Sequence, residues 1–470
     1  MRRIFQNFPK TKSNLLSNNY IMSNNIVLKR GLDLPVNGAA ALKTSKTVAA
    51  DVVAIKPTDF RGCTLRLLVR EGDKVLAGSP VLADKKCPDI IFASPVSGTV
   101  AEIVRGDRRK LLAVLIKADA QNEAIDFGKK SVSGMKADEI KEQLLKSGVW
   151  PFIVQRPYGI LADPTVQPKA IFISAFSTAP LAADLEYTLG AEVENIQTAV
   201  DALAKLTTGG VHVCTNSASS KFSALKGVKA HVVEGKHPAG NVGVQISNIS
   251  PIMKGDTVWT VSLQGAAAIG KLLNTGKLDL TRKIAVTGPR ANDPAYVEAL
   301  PGTSMSEFAC FAAQGESDIR WVSGDILTGT AVGADGYLGF FDNQVTLLSE
   351  GNYYEMLGWA KPARPKLHSF ARTYFSWLCP KKKYDMDTNT HGGVRPFVLS
   401  DVYSKVLPMD IYPVYLCKAC LSNNIDDMEK FGIYEVLPED LALCEYVDPS
   451  KIEIQSIIAD GIALMLKEMA

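Results

Sequence analysis

Between Cys63 and Asp119 the apolar positions come in short runs: Leu65–Val69, Val75-Leu76, Val81-Leu82, Ile90–Phe92, Val100–Val104 and Leu111–Ile116. Glu71-Gly72-Asp73, Ala77-Gly78 and Pro95–Gly98 break them up. Short strands at this turn spacing predict a small all-β unit. From 136 to 280 the period changes. Ala137–Ser147 carries Ile140, Leu144 and Leu145 at helical spacing, Ala170–Ser174 is a continuous apolar strand, and Asn195–Lys205 is helical again. Val211–Cys214 reads as a strand, and Thr257–Leu263 leads into a helical Ala266–Leu273. Strands alternating with helices predict a largely parallel sheet covered by helices, an α/β domain. Residues 283–350 return to strands (Lys283–Thr287, Ala295–Ala299, Val345–Leu348) around one short helix opened by Ser304 and Glu307 at capping-box spacing. Strands around a single helix suggest a β-grasp module. After Pro408 the spacing is helical over Asp410–Leu421, Ile425–Phe431, Glu439–Cys444 and Ile454–Met469, with Pro438 and Pro449 at boundaries. The expected organisation is an extension over 1–21, a β domain over 22–125, an α/β domain over 126–280, a β-grasp domain over 281–350, and a basic linker with a helical domain over 351–470.

Composition narrows the function. With 470 residues, 46% hydrophobic and 21% charged, the chain has material for several buried cores. The net charge is +3, and Arg2, Arg3, Lys10 and Lys12 all precede Met22; removing those four leaves −1 for residues 22–470. A near-neutral body lacks the concentrated basic face that nucleic-acid binding needs. No stretch reaches 18 consecutive apolar residues, so no membrane span is predicted. Residues 1–21 are rich in Asn, Ser and Lys, lack an apolar core, and read as a disordered extension with Met22 as a plausible start. Eight cysteines scattered over a long chain fit a reducing compartment, and the cytoplasm is expected.

The familiar catalytic signatures are missing. No G-x-S-x-G elbow, P-loop or G-x-G-x-x-G follows a strand, and Thr208-Gly209-Gly210 is an isolated turn. His212, His231 and His237 do not form a zinc-binding helix. Cys417 and Cys420 are a lone pair and Cys444 stands by itself, short of the four ligands of an iron–sulfur cluster or structural zinc; a buried helix face is expected for the pair, with metal binding as the alternative. Cys87, Cys214 and Cys310 are expected in the core. Lys361–Lys383 is different. It holds seven Lys/Arg and no acid, and Leu367, Phe370, Ala371, Tyr374 and Leu378 recur at helical spacing. That pattern predicts a helix for a membrane surface or a partner, or an ordinary packed helix with a basic flank.

The phrase Val69–Leu82 followed by Ser94–Val100 resembles the barrel-sandwich hybrid of biotinyl and lipoyl domains. Lys85 and Lys86 lie where such domains carry a cofactor, but the hairpin differs in length and has no Met-Lys-Met, and a shared fold does not carry a shared function. Seven blocks in order then resemble one family: Lys29–Ala39, His237–Gly240, Ala268–Leu278, Val322–Gly329, Tyr337–Thr346, Val406–Ile411 and Glu439–Val447. All are similar to the A subunit of the sodium-translocating NADH:quinone oxidoreductases, a family related in architecture to the C subunit of the Rnf complex and to the flavoprotein subunit of complex I.

The resemblance implies a multidomain chain of a barrel-sandwich hybrid, a Rossmann-like α/β domain, an SLBB-like β-grasp and a helical C-terminal domain. It implies a peripheral subunit on the cytoplasmic side of the inner membrane, associated with membrane subunits of a sodium pump. The isolated chain is expected to be inactive. In the relatives a glycine-rich loop after a helix lets backbone amides approach a flavin phosphate. Here the matching Leu144–Pro164 has lost the glycines, Trp150, Phe152, Arg156 and Tyr158 stand in the way, and the acidic phrase after the next strand has become Ser177-Thr178-Ala179-Pro180. The expectation is that this chain holds no cofactor, that FMN, FAD and Fe–S centres belong to partner subunits, and that quinone is its substrate. Arg156 and Tyr158 are the candidate donors to quinone, with Leu32 and Leu34 as an apolar wall. The alternatives are that Arg156 pairs with an acid and Tyr158 only packs, and that the chain is a structural scaffold without a ligand.

Overall fold

The computed structural model describes residues 24–468 except 49, 120, 122, 314–317, 359–363, 373 and 399; the expected extension over 1–21 lies outside the described residues. The central layer is a seven-stranded sheet in the order Asn24–Val27, Val228–Glu234, Val211–Thr215, Ile171–Ser174, Val258–Val261, Ile153–Arg156, Ile160–Leu161. The first five strands run parallel, Ile153–Arg156 runs antiparallel to Val258–Val261, and Ile160–Leu161 runs antiparallel to Ile153–Arg156. Val211–Thr215 and Val258–Val261 are buried along their whole length, as strands covered on both faces must be. The helix Val193–Ala204 buries Ile196, Ala199, Val200 and Leu203, and the helix Leu263–Thr275 packs beside it. Their shared core runs on into the β unit.

That β unit stacks a four-stranded sheet (Val52–Ile55, Leu111–Ala118, Gly98–Arg105, Lys74–Val75) on a three-stranded one (Leu65–Leu67, Pro80–Asp84, Ile91–Ala93), all antiparallel. Val53, Val81, Leu82, Phe92, Val114 and Ile116 fill the space between them. Lys85 and Lys86 lie exposed beyond the strand that ends at Asp84. The third sheet has six strands, in the order Thr330–Ala331, Ile319–Ser323, Gln344–Ser349, Arg282–Thr287, Ala295–Ala299, Ala41–Thr47. Residues 24–47 therefore lie outside the barrel sandwich: Asn24–Val27 pairs with Val228–Glu234 in the α/β sheet, and Ala41–Thr47 with Ala295–Ala299 in the β-grasp sheet.

Phe60 and Phe92 of the β unit, Phe152 of the α/β domain, and Phe340 and Phe341 of the β-grasp meet in one aromatic hub, with ring centroids 4.3–6.1 Å apart. At the C-terminal end, Pro413–Leu421, Ile425–Phe431, Ala442–Val447 and Ile454–Glu468 form a helical cluster, and Leu416, Cys417, Met428, Leu443, Cys444 and Ile458 are its core.

Three expectations are corrected. Leu367–Leu378 is not a helix: it is turns and a short 3₁₀ segment, Ser376–Leu378, with Arg372 and Phe375 at φ 62° and 58°. Ser376 Oγ accepts from Ser369 N and donates to Ser369 O, local bonds that replace a helical ladder. Cys310 is exposed rather than in the core, because Met305–Phe311 is a 3₁₀ helix whose three-residue period turns Met305, Phe308 and Phe311 inward and Cys310 out. Cys87 is half-buried, whereas Cys214, Cys417, Cys420 and Cys444 are buried.

Candidate functional site at the carboxyl edge of the parallel sheet

In an open parallel sheet, ligands bind beyond the carboxyl ends of the strands where the strand order reverses. Here that point lies past Ile171–Ser174, since the chain moves from it to Val211–Thr215 on one side and to Val258–Val261 on the other. Two loops meet there. One runs from Ser174 to Thr178, and the other from Glu234 through His237 to the helix Val242–Ile249. Ser174 Oγ donates to the Gly240 carbonyl at 2.9 Å and accepts from Gln245 Nε2 at 2.9 Å. Thr178 Oγ1 accepts from Gly240 N at 2.9 Å and lies 3.2 Å from His237 Nδ1. Gly240 is required by this approach, as a Cβ there would meet Thr178 N at 2.6 Å.

The N-terminal segment closes the site. Leu32 N donates to the His237 carbonyl at 2.9 Å, and His237 N donates to Asp33 Oδ1 at 2.9 Å. Two of the motif blocks, Lys29–Ala39 and His237–Gly240, thus lie against each other. Leu34 is buried and Leu32 packs on the same apolar cluster, so the expected wall stands beside His237. Burial lowers the affinity of His237 for a second proton, opposed by Asp325, Asp33, Asp440 and a backbone hydrogen bond at Thr178. Thr178 Oγ1 already accepts from Gly240 N, so its own proton is available for Nδ1. His237 Nε2 is buried without a partner among the described residues, as are Gln245 Oε1, Asp440 Oδ1 and Arg156 Nε.

Arg156 and Tyr158 face the C-terminal helical cluster. Arg156 pairs with Val258, at the amino end of that strand, and its guanidinium is buried in ion pairs. Nη1 reaches Asp440 Oδ2 at 2.9 Å and the Glu435 carbonyl at 3.4 Å, and Nη2 reaches Glu439 at 3.2 Å. Burial alone would lower the Arg156 pKa; Asp440 and Glu439 outweigh it and raise it above its ordinary value. The helix Val242–Ile249 comes so close that a Cβ on Gly243 would meet Asp440 Oδ2 at 2.2 Å and Arg156 Nη1 at 2.3 Å. Tyr158, at φ 82°, is half-buried with its ring edge-on to Tyr434 at 6.2 Å, and burial raises its hydroxyl pKa. Leu32, Leu34 and Tyr158 thus pack on one apolar cluster shared with the C-terminal helices, and Arg156 is ion-paired to Asp440 and Glu439.

Residues 149–152 do not fit a flavin cradle. Val149, Trp150, Pro151 and Phe152 are all buried; Trp150 Nε1 donates to the Ala162 carbonyl at 2.8 Å, its ring meets Trp259 edge-on at 5.5 Å, and Phe152 belongs to the aromatic hub. Side chains occupy the space that bare backbone amides would need. Ser177 and Ala179, from the altered acidic phrase, line a cleft of about 140 Å³ with Asp325, Thr328, Asn343 and Gln344, next to Thr178 and His237. A larger cleft of about 400 Å³ lies between Leu189, Lys271, Arg282 and Lys283. Among the described residues, no group of three or more His, Cys, Asp or Glu is placed to hold a metal ion, and no helix is long and apolar enough to cross a membrane.

A barrel-sandwich hybrid, an α/β domain on a largely parallel sheet and a β-grasp sheet, in this order along the chain, define the class of multidomain protein to which it belongs. Family models agree in the same order: an NqrA N-terminal barrel-sandwich hybrid domain matches residues 26–119, an NqrA second α/β domain 135–278, and an NQRA C-terminal domain 283–334. The A subunit of the Na(+)-translocating NADH-quinone reductase of Rhodopirellula baltica is 35% identical over 94% of this chain and 98% of its own. Those of Yersinia pestis and Marinomonas sp. are 36% and 34% identical over 93% and 94% of this chain. The chain belongs to the NqrA family, the A subunits of Na(+)-translocating NADH-quinone reductases. A chain of an NAD+-reducing [NiFe]-hydrogenase aligns with 74% of this chain and 68% of its own at 9% identity and a TM-score of 0.35, too loose a likeness to bear on the fold.

Proposed function

We propose that this chain is the peripheral A subunit of a Na+-translocating NADH:quinone reductase, held on the cytoplasmic side of the membrane by membrane subunits of the complex, and that it binds quinone. FMN, FAD and Fe–S centres belong to its partners in this reading. The observation that carries the quinone role is the buried ring nitrogen His237 Nε2, which has no partner among the described residues, in a loop whose carbonyl accepts from Leu32 N and whose ring lies within electrostatic reach of Asp325, a residue lining the cleft at Ser177. A quinone head group presents carbonyl acceptors on a flat apolar ring, and a site needs a buried donor with an apolar wall. His237 supplies the donor, and Thr178 and Asp33 fix its ring and backbone. Arg156 is a positioning residue in this reading, because both of its Nη groups are engaged by Asp440, Glu439 and the Glu435 carbonyl.

The test is quinone titration of the purified chain and of the assembled complex. His237→Ala should weaken quinone affinity by about 1–3 kcal/mol, the cost of leaving a buried acceptor without its donor. Tyr158→Phe should leave it unchanged. Loss of affinity in Tyr158→Phe alone would move the head group to the Tyr434 side and overturn the His237 assignment. The competing reading is a scaffold subunit with no ligand of its own, favoured by the closed ion pair at Arg156 and the packed turn at Trp150. No saturable quinone binding to wild-type chain or complex that His237→Ala diminishes would establish it. A purified chain with flavin absorption at stoichiometric amplitude would contradict the cofactor assignment.

A further inference from the structure

The stretch around 353–383 is not used by the quinone reading, and its exposed groups are chemically one-sided. Tyr354, Met356, Leu357, Phe375, Trp377 and Leu378 are all exposed; Tyr354 is wholly bare and Met356 85% so. Arg364 gathers them into one place. It forms an ion pair with Glu355, donates to the Gly358 carbonyl and to Tyr374 OH, and stacks on the Tyr374 ring at 5.1 Å. The turn 354–357 and the segment 375–378 therefore sit on either side of one bridging guanidinium.

The back of this segment is fastened to the body. Phe370 packs against the C-terminal apolar cluster, His368 Nδ1 lies 3.0 Å from Tyr446 OH, and Tyr384 is buried where its backbone bridges to Val36. The front has none of the described residues over it. Lys366, Arg372, Lys381 and Lys383 are exposed around the apolar groups, and Arg372 lies over the Trp377 ring at 5.8 Å. Exposed aromatic and aliphatic side chains in one small area mark an interaction surface. Tryptophan and tyrosine among lysines and arginines match the headgroup region of a bilayer, where amphipathic rings sit at the interface and basic groups meet anionic lipid.

We infer that residues 354–358, 364–372 and 374–383 form an interfacial anchor that seats this face of the molecule on an anionic lipid surface. Trp377, Leu378, Met356 and Leu357 enter the headgroup layer, and Lys366, Lys381 and Lys383 lie against lipid phosphates. Charge complementarity selects lipid as the occupant: among the described residues the four cations around the patch have no acidic partner on its exposed face, and a lipid surface supplies negative charge without requiring a shaped counterpart. The inference is independent of the quinone reading, since neither His237 nor Leu32 takes part.

Flotation of the full chain with vesicles tests it, using phosphatidylcholine alone and phosphatidylcholine mixed with phosphatidylglycerol. Binding is expected to the mixed vesicles, to weaken as salt rises, and to shift the Trp377 emission to the blue, read as the difference between wild type and Trp377→Phe. Lys381→Gln with Lys383→Gln should lower partitioning about 30-fold, the equivalent of ~1 kcal/mol per lost charge. Trp377→Ser with Leu378→Ser should abolish the binding that survives high salt. All four side chains are exposed, so melting temperatures should stay at the wild-type value. Phe370 and Tyr374 are unsuitable probes because both are packed. Failure of the wild type to float with mixed vesicles would overturn the inference, as would salt-insensitive binding to phosphatidylcholine alone. Binding by both double variants equal to that of the wild type would overturn it too. Capture by detergent-solubilised membrane subunits without any vesicle binding would assign the patch to a protein instead.

Discussion

Arg156 shows how a residue's role changes once its neighbours are known. A guanidinium 2% exposed is fastened through Nη1 to Asp440, itself buried, so Arg156 is part of the contact with the C-terminal domain. Removing one partner strands the other charge in the interior, so Arg156→Ala and Asp440→Ala should each cost roughly 3–5 kcal/mol in denaturant unfolding. Arg156→Met with Asp440→Leu should recover much of that loss. The sequence shows an arginine before a proline, but its acidic partners lie more than 270 residues away and leave no local pattern. The same holds for His237, where the H-P-A-G block is visible in the sequence and the orphaned Nε2 is not. A second prediction concerns His212, which stacks on Phe172 and sits 3.1 Å from His231. Burial, with His231 and Lys229 nearby, lowers its pKa from 6.5 to about 4. The unfolded ring takes its proton near 6.5 while the folded one resists it, so stability should fall as pH drops from about 6.5 to about 4. Melting temperature against pH should show that slope, and His212→Phe should flatten it.

At the level of elements, periodicity was a good guide wherever one face of a strand or helix meets a core. The helices Ala137–Lys146, Val193–Ala204 and Ile454–Glu468 and the strands Ile171–Ser174 and Val211–Thr215 lie within a few residues of where their spacing places them. It misled at Leu367–Leu378, where an apolar stripe exists but Ser369 and Ser376 bond to each other and the stripe divides between a packed Phe370 and an exposed Leu378. It was silent for Ala41–Thr47, which is exposed on both faces and so has no alternation to read. That strand forms the edge of the six-stranded sheet, and its lysines protect it: Lys43 pairs with Asp293 at 2.8 Å and Lys46 lies over the Phe311 ring at 5.8 Å. Charged side chains on an edge strand oppose pairing with another chain. Lys43→Val with Lys46→Val should therefore produce concentration-dependent self-association by light scattering, with little loss of thermal stability.

For the whole molecule, the aromatic hub makes three domains behave as one. Phe60 is almost fully buried and its ring touches Phe92, Phe340 and Phe341. Phe60→Ala should cost about 3–5 kcal/mol and, because that loss falls at a junction, should split a single calorimetric transition into two. The same unity governs how the chain is made. Asn24–Val27 and Ala41–Thr47 leave the ribosome before their partners Val228–Glu234 and Ala295–Ala299, which follow about 200 and 250 residues later. At ~5–20 residues per second the first strand waits on the order of 10–40 s for its place in the sheet. During that interval the barrel sandwich between them can close, leaving the N-terminal segment as an unpaired β-strand available to chaperones or to a neighbouring nascent chain. Delaying translation between residues 48 and 228 would prolong the exposure without altering a single contact of the finished protein.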